Sequence, residues 1–344
     1  MIAYIRSRKT GFLLLLMAVL LLFPLAFQGN NYVLRIAINI LLYTILGTSL
    51  NMINGYSGQF NIGQAGFYCI GAYTAGILST RYGLGFWTCL PISGLMASAA
   101  SLLLGIPTAR LKGIFLAMTT LGFSEIVRLI VLNAGEFTRG PMGIPGIPVP
   151  TVLGYKLSTN FHLYYLVLFL TVVTIFVCMR VLDSRIGRAW VAIREDELAA
   201  RAMGIPTVRY KVYNLMFATF WAGIAGCFYA FLSSFISADS FILDEGFAIM
   251  SMVLVGGMGS MVGPPVGSLI LIVIPEIFRF LAEYRLIIYG AAILITMHLR
   301  PQGIFGGDIL SQPAKAKDND DAAEKDEFAL QDPNKALAVR EDGI

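Results

Sequence analysis

The sequence predicts an all-α polytopic membrane protein with about ten transmembrane or re-entrant helices, and three observations carry that prediction. Of its 344 residues 57% are hydrophobic and only 13% charged, with a mean hydropathy of +0.73, whereas charged residues approach roughly a quarter of a soluble domain. Apolar runs recur at lengths near the roughly 20 residues that a helix needs to cross a hydrocarbon core about 30 Å thick. Basic residues fall in alternate connections between those runs, as the positive-inside rule asks.

The first run, 11–28, follows Arg6, Arg8 and Lys9. It has the charged start and apolar middle of a signal peptide but no small-x-small cleavage site, so it reads as an uncleaved span. Further runs cover 33–53, 65–80, 86–107, 114–133, 161–182, 213–236, 247–263, 264–283 and 286–299. Those at 65–80 and 247–263 are short and either span or re-enter. Ten crossings put both termini in the cytoplasm together with Arg110, Lys112, the whole 184–211 loop and Arg300, and leave mainly Arg81, Arg139 and Lys156 outside. Residues 1–310 are then one transmembrane domain. From Ser311 the composition turns to Ala, Asp, Glu and Lys, with nine acidic and five basic residues between Lys315 and Ile344, which reads as a disordered charged cytoplasmic tail over 311–344.

Composition also excludes. A formal charge of +4, scattered along the chain, does not suit nucleic acid. Cys69, Cys89, Cys178 and Cys227 lie in apolar runs without metal-ligand spacing and read as packing residues. His162 and His298 stand alone at span ends, as interfacial anchors. The sequence shows neither a P-loop, nor a nucleophile elbow, nor paired carboxylates, so it predicts no enzyme, no cofactor and no metal.

The 133–161 connection carries Gly140, Pro141, Gly143, Pro145, Gly146, Pro148 and Pro150, a composition for turns over the outer mouth. It is either a landing place for an extracellular partner or a plain connector. On the other side, 184–211 holds Arg185, Arg188, Arg194, Arg201, Arg209 and Lys211. Within it Glu195 to Met203 reads as a short helix, with Glu195, Asp196 and Glu197 in its first turn and Gly204 and Pro206 as its stop. Leu198, Ala199, Ala202 and Met203 make one apolar face. That face docks into another protein or lies on lipid; the three acids oppose lipid, because the inner leaflet is itself negative.

Two glycine-dense stretches break helices. Gly55, Gly58, Gly63 and Gly66 surround Asn54, Ser57, Gln59, Asn61 and Gln64; freed backbone at membrane depth marks a polar path or close packing, and the amides favour a path here. The second stretch, Gly256 to Gly267, lacks amides and favours close packing. A repeated motif, Glu125-Ile126-Val127-Arg128 and Glu276-Ile277-Phe278-Arg279, sets an acid and a base three apart on one helix face. Each pair neutralises itself and reads as a structural intrahelical ion pair rather than a substrate ligand.

Over about residues 33–306 the chain resembles the M-type subunit of the branched-chain amino-acid ABC transporter permease family. The resemblance is carried, in order, by Gly55–Gly63 continuing to Ile70-Gly71-Ala72-Tyr73, Trp87-Thr88-Cys89-Leu90-Pro91, Thr120-Leu121-Gly122-Phe123, Gly140-Pro141-Met142-Gly143-Ile144, Arg188–Lys211, Gly256-Gly257-Met258-Gly259-Ser260 and Arg300-Pro301-Gln302-Gly303. It implies a multi-pass bacterial inner-membrane subunit that pairs with a homologous second permease, two cytoplasmic ABC ATPases and a periplasmic substrate-binding protein to import leucine, isoleucine and valine. ATP hydrolysis then resides in the partners, and membrane lipid surrounds the spans. The segment of Arg194, Glu195, Asp196, Glu197, Leu198, Ala199, Ala200, Ala202, Met203 and Gly204 becomes the ATPase-coupling element. Its acid, Glu197, stands one place earlier than in the wider importer motif, and Gln64 stands where relatives often carry His. The expected translocation path is Gly55, Ser57, Gly58, Gln59, Asn61, Gly63 and Gln64. Two rivals stand beside this reading: the same machine importing urea or a short-chain amide, and a stand-alone secondary transporter or channel.

Overall fold

Asn30 opens the first complete helix, α1 (Asn31–Asn51), by accepting the Tyr32 and Val33 amides on its side-chain oxygen at 3.2 and 3.3 Å, the cap that a short polar side chain offers to orphan N–H groups. The structure is a computed structural model and describes residues 19–27, 30–111, 113–152, 155–277, 285–300 and 302–306. The charged tail at 311–344, the start of the first apolar run and Arg279 lie outside the described residues. The helices that follow are α2 (Gln64–Tyr82), α3 (Phe86–Thr108), α4 (Gly113–Asn133), α5 (Asn160–Leu182), α6 (Arg185–Glu195), α7 (Glu197–Ala202), α8 (Thr207–Ser233), α9 (Leu243–Gly256), α10 (Gly263–Ile277) and α11 (Arg285–Leu299).

Among the described residues five helices are long and apolar enough to cross a membrane: α1 with its continuation to Tyr56, α3, α4, α5 and α8. The 14 residues of α9 and the 15 of α10 reach only about 21–23 Å at 1.5 Å per residue. The apolar run expected at 247–263 is therefore a shorter helix that starts earlier. Asp244 and Glu245 lie in its first turn, where the positive end of the helix dipole favours them. It stops at Gly256 because Gly257 and Gly259 take φ of 116° and 78°, outside the helical region.

The most buried span, α8, forms the centre of the bundle. At Gly223 an added Cβ would lie 2.8 Å from Ala97 Cβ and 3.0 Å from Gly94 Cα, so the missing side chain lets α3 approach backbone to backbone. Phe228 and Phe231 fill the half towards Ser233, with Phe231 edge-on to Phe86 at 5.2 Å between ring centroids. On the far side of α1, the Tyr43 hydroxyl meets Glu245 Oε1 at 2.5 Å and Thr44 meets Ser268 at 2.8 Å. These contacts fasten α9 and α10 to α1.

The connections sort to two ends. The 133–161 segment folds as turns with the strands β1 (Ile144–Pro145), β2 (Thr151–Val152) and β3 (Tyr155–Lys156). β1 pairs antiparallel with β4 (Phe235–Ile236), and Trp87 Nε1 donates to the Thr151 carbonyl at 3.1 Å. At the other end, the break after α1, the α3–α4 turn, the α5–α8 connection and the α9–α10 turn all meet around Arg194.

Candidate functional site

The site is built at that second end. Ser184 caps α6, accepting the Ile186 and Gly187 amides at 3.2 and 3.4 Å. Asp196 then leaves the helical region, with φ −151° and ψ 112°, and caps α7 by accepting the Leu198 and Ala199 amides at 2.7 and 3.0 Å. This corrects the expected boundary: Glu195 ends α6 instead of opening the short helix, because a short Asp side chain competes for the amides two and three residues on. Gly204 closes α7 at φ 85°, with Gly204 N–H on the Arg201 carbonyl and Ile205 N–H on the Ala200 carbonyl, both at 3.0 Å. That paired geometry is the Schellman stop and favours glycine at its left-handed position.

Of α7, Ala200 and the side chain of Glu197 turn inward. Leu198 is 71% exposed and Met203 83%, and Ala199 and Ala202 are exposed with them. The whole apolar face read from the sequence is thus presented outward. Beneath it Lys211 Nζ lies 2.9 Å from Glu197 Oε1, and the two side chains are 8% and 12% exposed. This ion pair ties α7 to the foot of α8.

The break after α1 is a π-helical turn, Met52–Tyr56, all of it buried. Such single π turns concentrate at functional sites. Other elements supply its missing partners: Asn214 Nδ2 donates to the Met52 carbonyl at 3.0 Å and Arg194 Nη1 to the Gly55 carbonyl at 2.5 Å. One residue earlier, the Asn51 side chain takes the Gly259 amide at 2.9 Å and donates to the Ser260 carbonyl at 2.8 Å. In the loop, Asn54 and Asn61 bond reciprocally at 3.0 Å, Asn61 Oδ1 accepts the Gly63 amide at 2.7 Å, and Gln64 Nε2 donates to Ser49 Oγ at 2.6 Å. Asn61 Nδ2, Gln64 Oε1 and Asn214 Oδ1 are buried atoms without a hydrogen-bond partner.

A cavity of about 230 Å³ opens beside the break, with walls from Ser57, Gly58 and Gln59, from Leu111, Gly113 and Leu116, and from Ile193, Arg194, Glu197 and Lys211. Of the seven residues assigned to the path, Ser57, Gly58 and Gln59 reach it. Gly55, Asn61, Gly63 and Gln64 lie packed behind it, and a Cβ at Gly63 would run into the Thr120 backbone. The glycines of the second stretch are close-packed in the same way: a Cβ at Gly267 in α10 would strike the Met252 carbonyl, and one at Gly256, where α9 ends, the Gly263 backbone.

In the second half of α4, Arg128 Nε donates to both Glu125 oxygens at 3.0 Å and Nη2 lies 2.5 Å from Oε1. In α10 Glu276 lies within the described residues and its expected partner Arg279 outside them. Sequence reading missed Lys211, Asn51 and Asn214 as parts of this site. An amide side chain inside the apolar stretch of a span was the available signal for Asn51 and Asn214, whereas Lys211 reads as one more base of the 184–211 loop.

The profile of the family described as branched-chain amino acid transport system / permease component matches residues 32–297. The chain is 40% identical over 316 residues to the high-affinity branched-chain amino acid transport system permease protein LivM of Escherichia coli strain K12, covering 85% of this chain and 74% of that protein. It is 26% identical over 327 residues to the probable branched-chain amino acid transport permease protein LivM of Methanocaldococcus jannaschii, covering 80% and 94%. To the permease protein LivH of Escherichia coli strain K12 it is 22% identical over 291 residues, covering 77% and 91%. No solved structure matches. With its profile match running from α1 into α11 and its 40% identity to LivM, the chain belongs to the branched-chain amino-acid transport permease family.

Proposed function

We propose that this chain is the M-type permease subunit of a binding-protein-dependent ABC importer for leucine, isoleucine and valine in a bacterial inner membrane. It crosses the membrane about ten times, with both termini in the cytosol, and forms a heterodimer with a homologous second permease. Two cytoplasmic ATPases supply ATP hydrolysis, and a periplasmic binding protein delivers substrate over the end built from β1 to β4. The names of the relatives support the substrate class, and similarity to both LivM and LivH supports a second permease distinct from this one.

The observation that carries the mechanism is the outward apolar face of α7, set on a tied base: exposed Leu198 and Met203 above, the buried Glu197–Lys211 pair below. An apolar knob standing clear of the bundle is what a groove in a soluble partner takes up. Arg194 to Gly204 is then the coupling element, and closure of the ATPases moves it. The path runs along Gly55, Ser57, Gly58, Gln59, Asn61, Gly63 and Gln64: the first side chains meet the cavity, and the amides behind it hold the break in shape. Glu125–Arg128 serves as a structural ion pair. The permease contributes path and lever, not chemistry.

The test is to replace Ala200 by Leu and Gly204 by Val together. Membrane insertion should persist while leucine uptake and substrate-stimulated ATP hydrolysis are lost. Unchanged coupling would defeat the assignment of α7. Labelled leucine uptake should yield to excess isoleucine or valine and not to urea; competition by urea would move the substrate class.

A further inference from the structure

Arg194 reaches farther than its place in the coupling segment requires. Its side chain passes between Gly58 and Gly259, where added Cβ atoms would sit 3.1 Å from its Cγ and 2.9 Å from its Nη1, and ends at the Gly55 carbonyl at 2.5 Å. That carbonyl lies in the last turn of the π segment, where a helix leaves acceptors without an intrahelical partner. A guanidinium there satisfies the acceptor and also meets the negative end of the helix dipole. The capping group comes from 139 residues away.

We propose that Arg194 is a positioning residue that caps the broken end of α1 from the coupling loop, so that the 57–60 loop moves as one body with α6 and α7. Only Asp196 separates α6 from α7, so a push on Leu198 arrives at Arg194 within three peptide units of α7. Ser57, Gly58 and Gln59 form one wall of the cavity, while Leu111, Gly113 and Leu116 form another on the α3–α4 turn. Displacing the tied wall against the other widens or narrows the cavity. This inference rests on the reading of α7 as the ATPase-docking element, and it names the step by which that docking reaches the path.

The experiment uses the complete complex, both permeases and both ATPases, in proteoliposomes with the binding protein. Arg194→Met keeps the length and removes the charge; Arg194→Lys keeps a charge. With Met, stimulation of ATP hydrolysis by leucine-loaded binding protein and leucine uptake should each fall by about tenfold or more, the factor a charge-assisted hydrogen bond is worth. Lys should restore a substantial part of both. Full stimulation and uptake in Arg194→Met overturn the tie. If the unmodified complex shows no stimulation, the importer reading fails instead.

A second measurement decides where the Met variant does not assemble or the unmodified complex is unresponsive. Spin labels at Ile186→Cys and Phe60→Cys, both at exposed positions, report the α6-to-loop distance with and without trapped ATP. That distance should change by less than the roughly 1–2 Å of an ordinary helix shift, while each label moves against a third at Thr80→Cys at the opposite end. A larger change between Ile186 and Phe60 than between Phe60 and Thr80 overturns the proposal.

Discussion

Lys211 sits in the first two turns of α8 with its ammonium 2.9 Å from Glu197, and so little of its side chain is exposed that its charge depends on that carboxylate, which also meets Arg201 Nη2 at 3.5 Å. Removing one member of such a pair leaves an uncompensated buried charge, at a cost of about 3–5 kcal/mol, whereas removing both is often close to neutral. Glu197→Gln should therefore lower the thermal stability of the detergent-solubilised protein sharply, and Lys211→Met added to it should recover most of the loss. A double variant no more stable than the single would show the pair to be uncoupled. Residue by residue, the capping chemistry was readable: Ser184, Asp196 and Gly204 are where their types belong in helix caps and stops. The choice between Glu195 and Asp196 as the start of α7 was not, because two adjacent acids satisfy the same dipole rule and only backbone geometry separates them. Lys211 was legible merely as one more base in the loop, since its partner lies across a chain reversal.

Among the helices, α8 owes its central place to a stripe of small residues, Ala222, Gly223, Ala225 and Gly226, of which all four are fully buried. A side chain at Gly223 has no room, with Ala97 Cβ 2.8 Å from where its Cβ would be. Gly223→Leu should leave little protein in the membrane by immunoblot, while Gly290→Ala in α11, with nothing within 4 Å of the added atom, should accumulate normally. Equal accumulation of the two would show that α3 and α8 do not meet as described. The long spans were legible because 20 apolar residues in a row leave few alternatives. The lengths of α9 and α10 were not, because valine, methionine and glycine continue past the point where Gly257 turns the backbone, and hydropathy does not sense φ.

The molecule as a whole separates its connections into two groups, and the reading of one group as cytosolic makes a prediction about sidedness. Leu198 and Met203 stand out at one end, and Met142 and Tyr155, 82% and 79% exposed, at the other. Cysteines at Met142 and Tyr155 should react with a membrane-impermeant maleimide in intact spheroplasts, and cysteines at Leu198 and Met203 only in inverted vesicles. Labelling of all four from one side would overturn the threading, and with it the coupling role of α7.

Composition and local order were enough for the class of protein, the course of the five long spans and the exposed apolar face of α7. Each follows from a solvent that tolerates neither free charge nor free peptide groups over about 30 Å, and a stretch of chain meets or fails that demand locally. Which side chains would complete the broken end of α1 was beyond such reading. Arg194, Asn214 and the Asn51–Gly259 contact reach it from three other parts of the chain, and an unpaired carbonyl accepts any donor that packing brings within about 3 Å. Periodicity carries no record of that arrival; the packing of α1, α6, α8 and the α9–α10 turn around one another sets it.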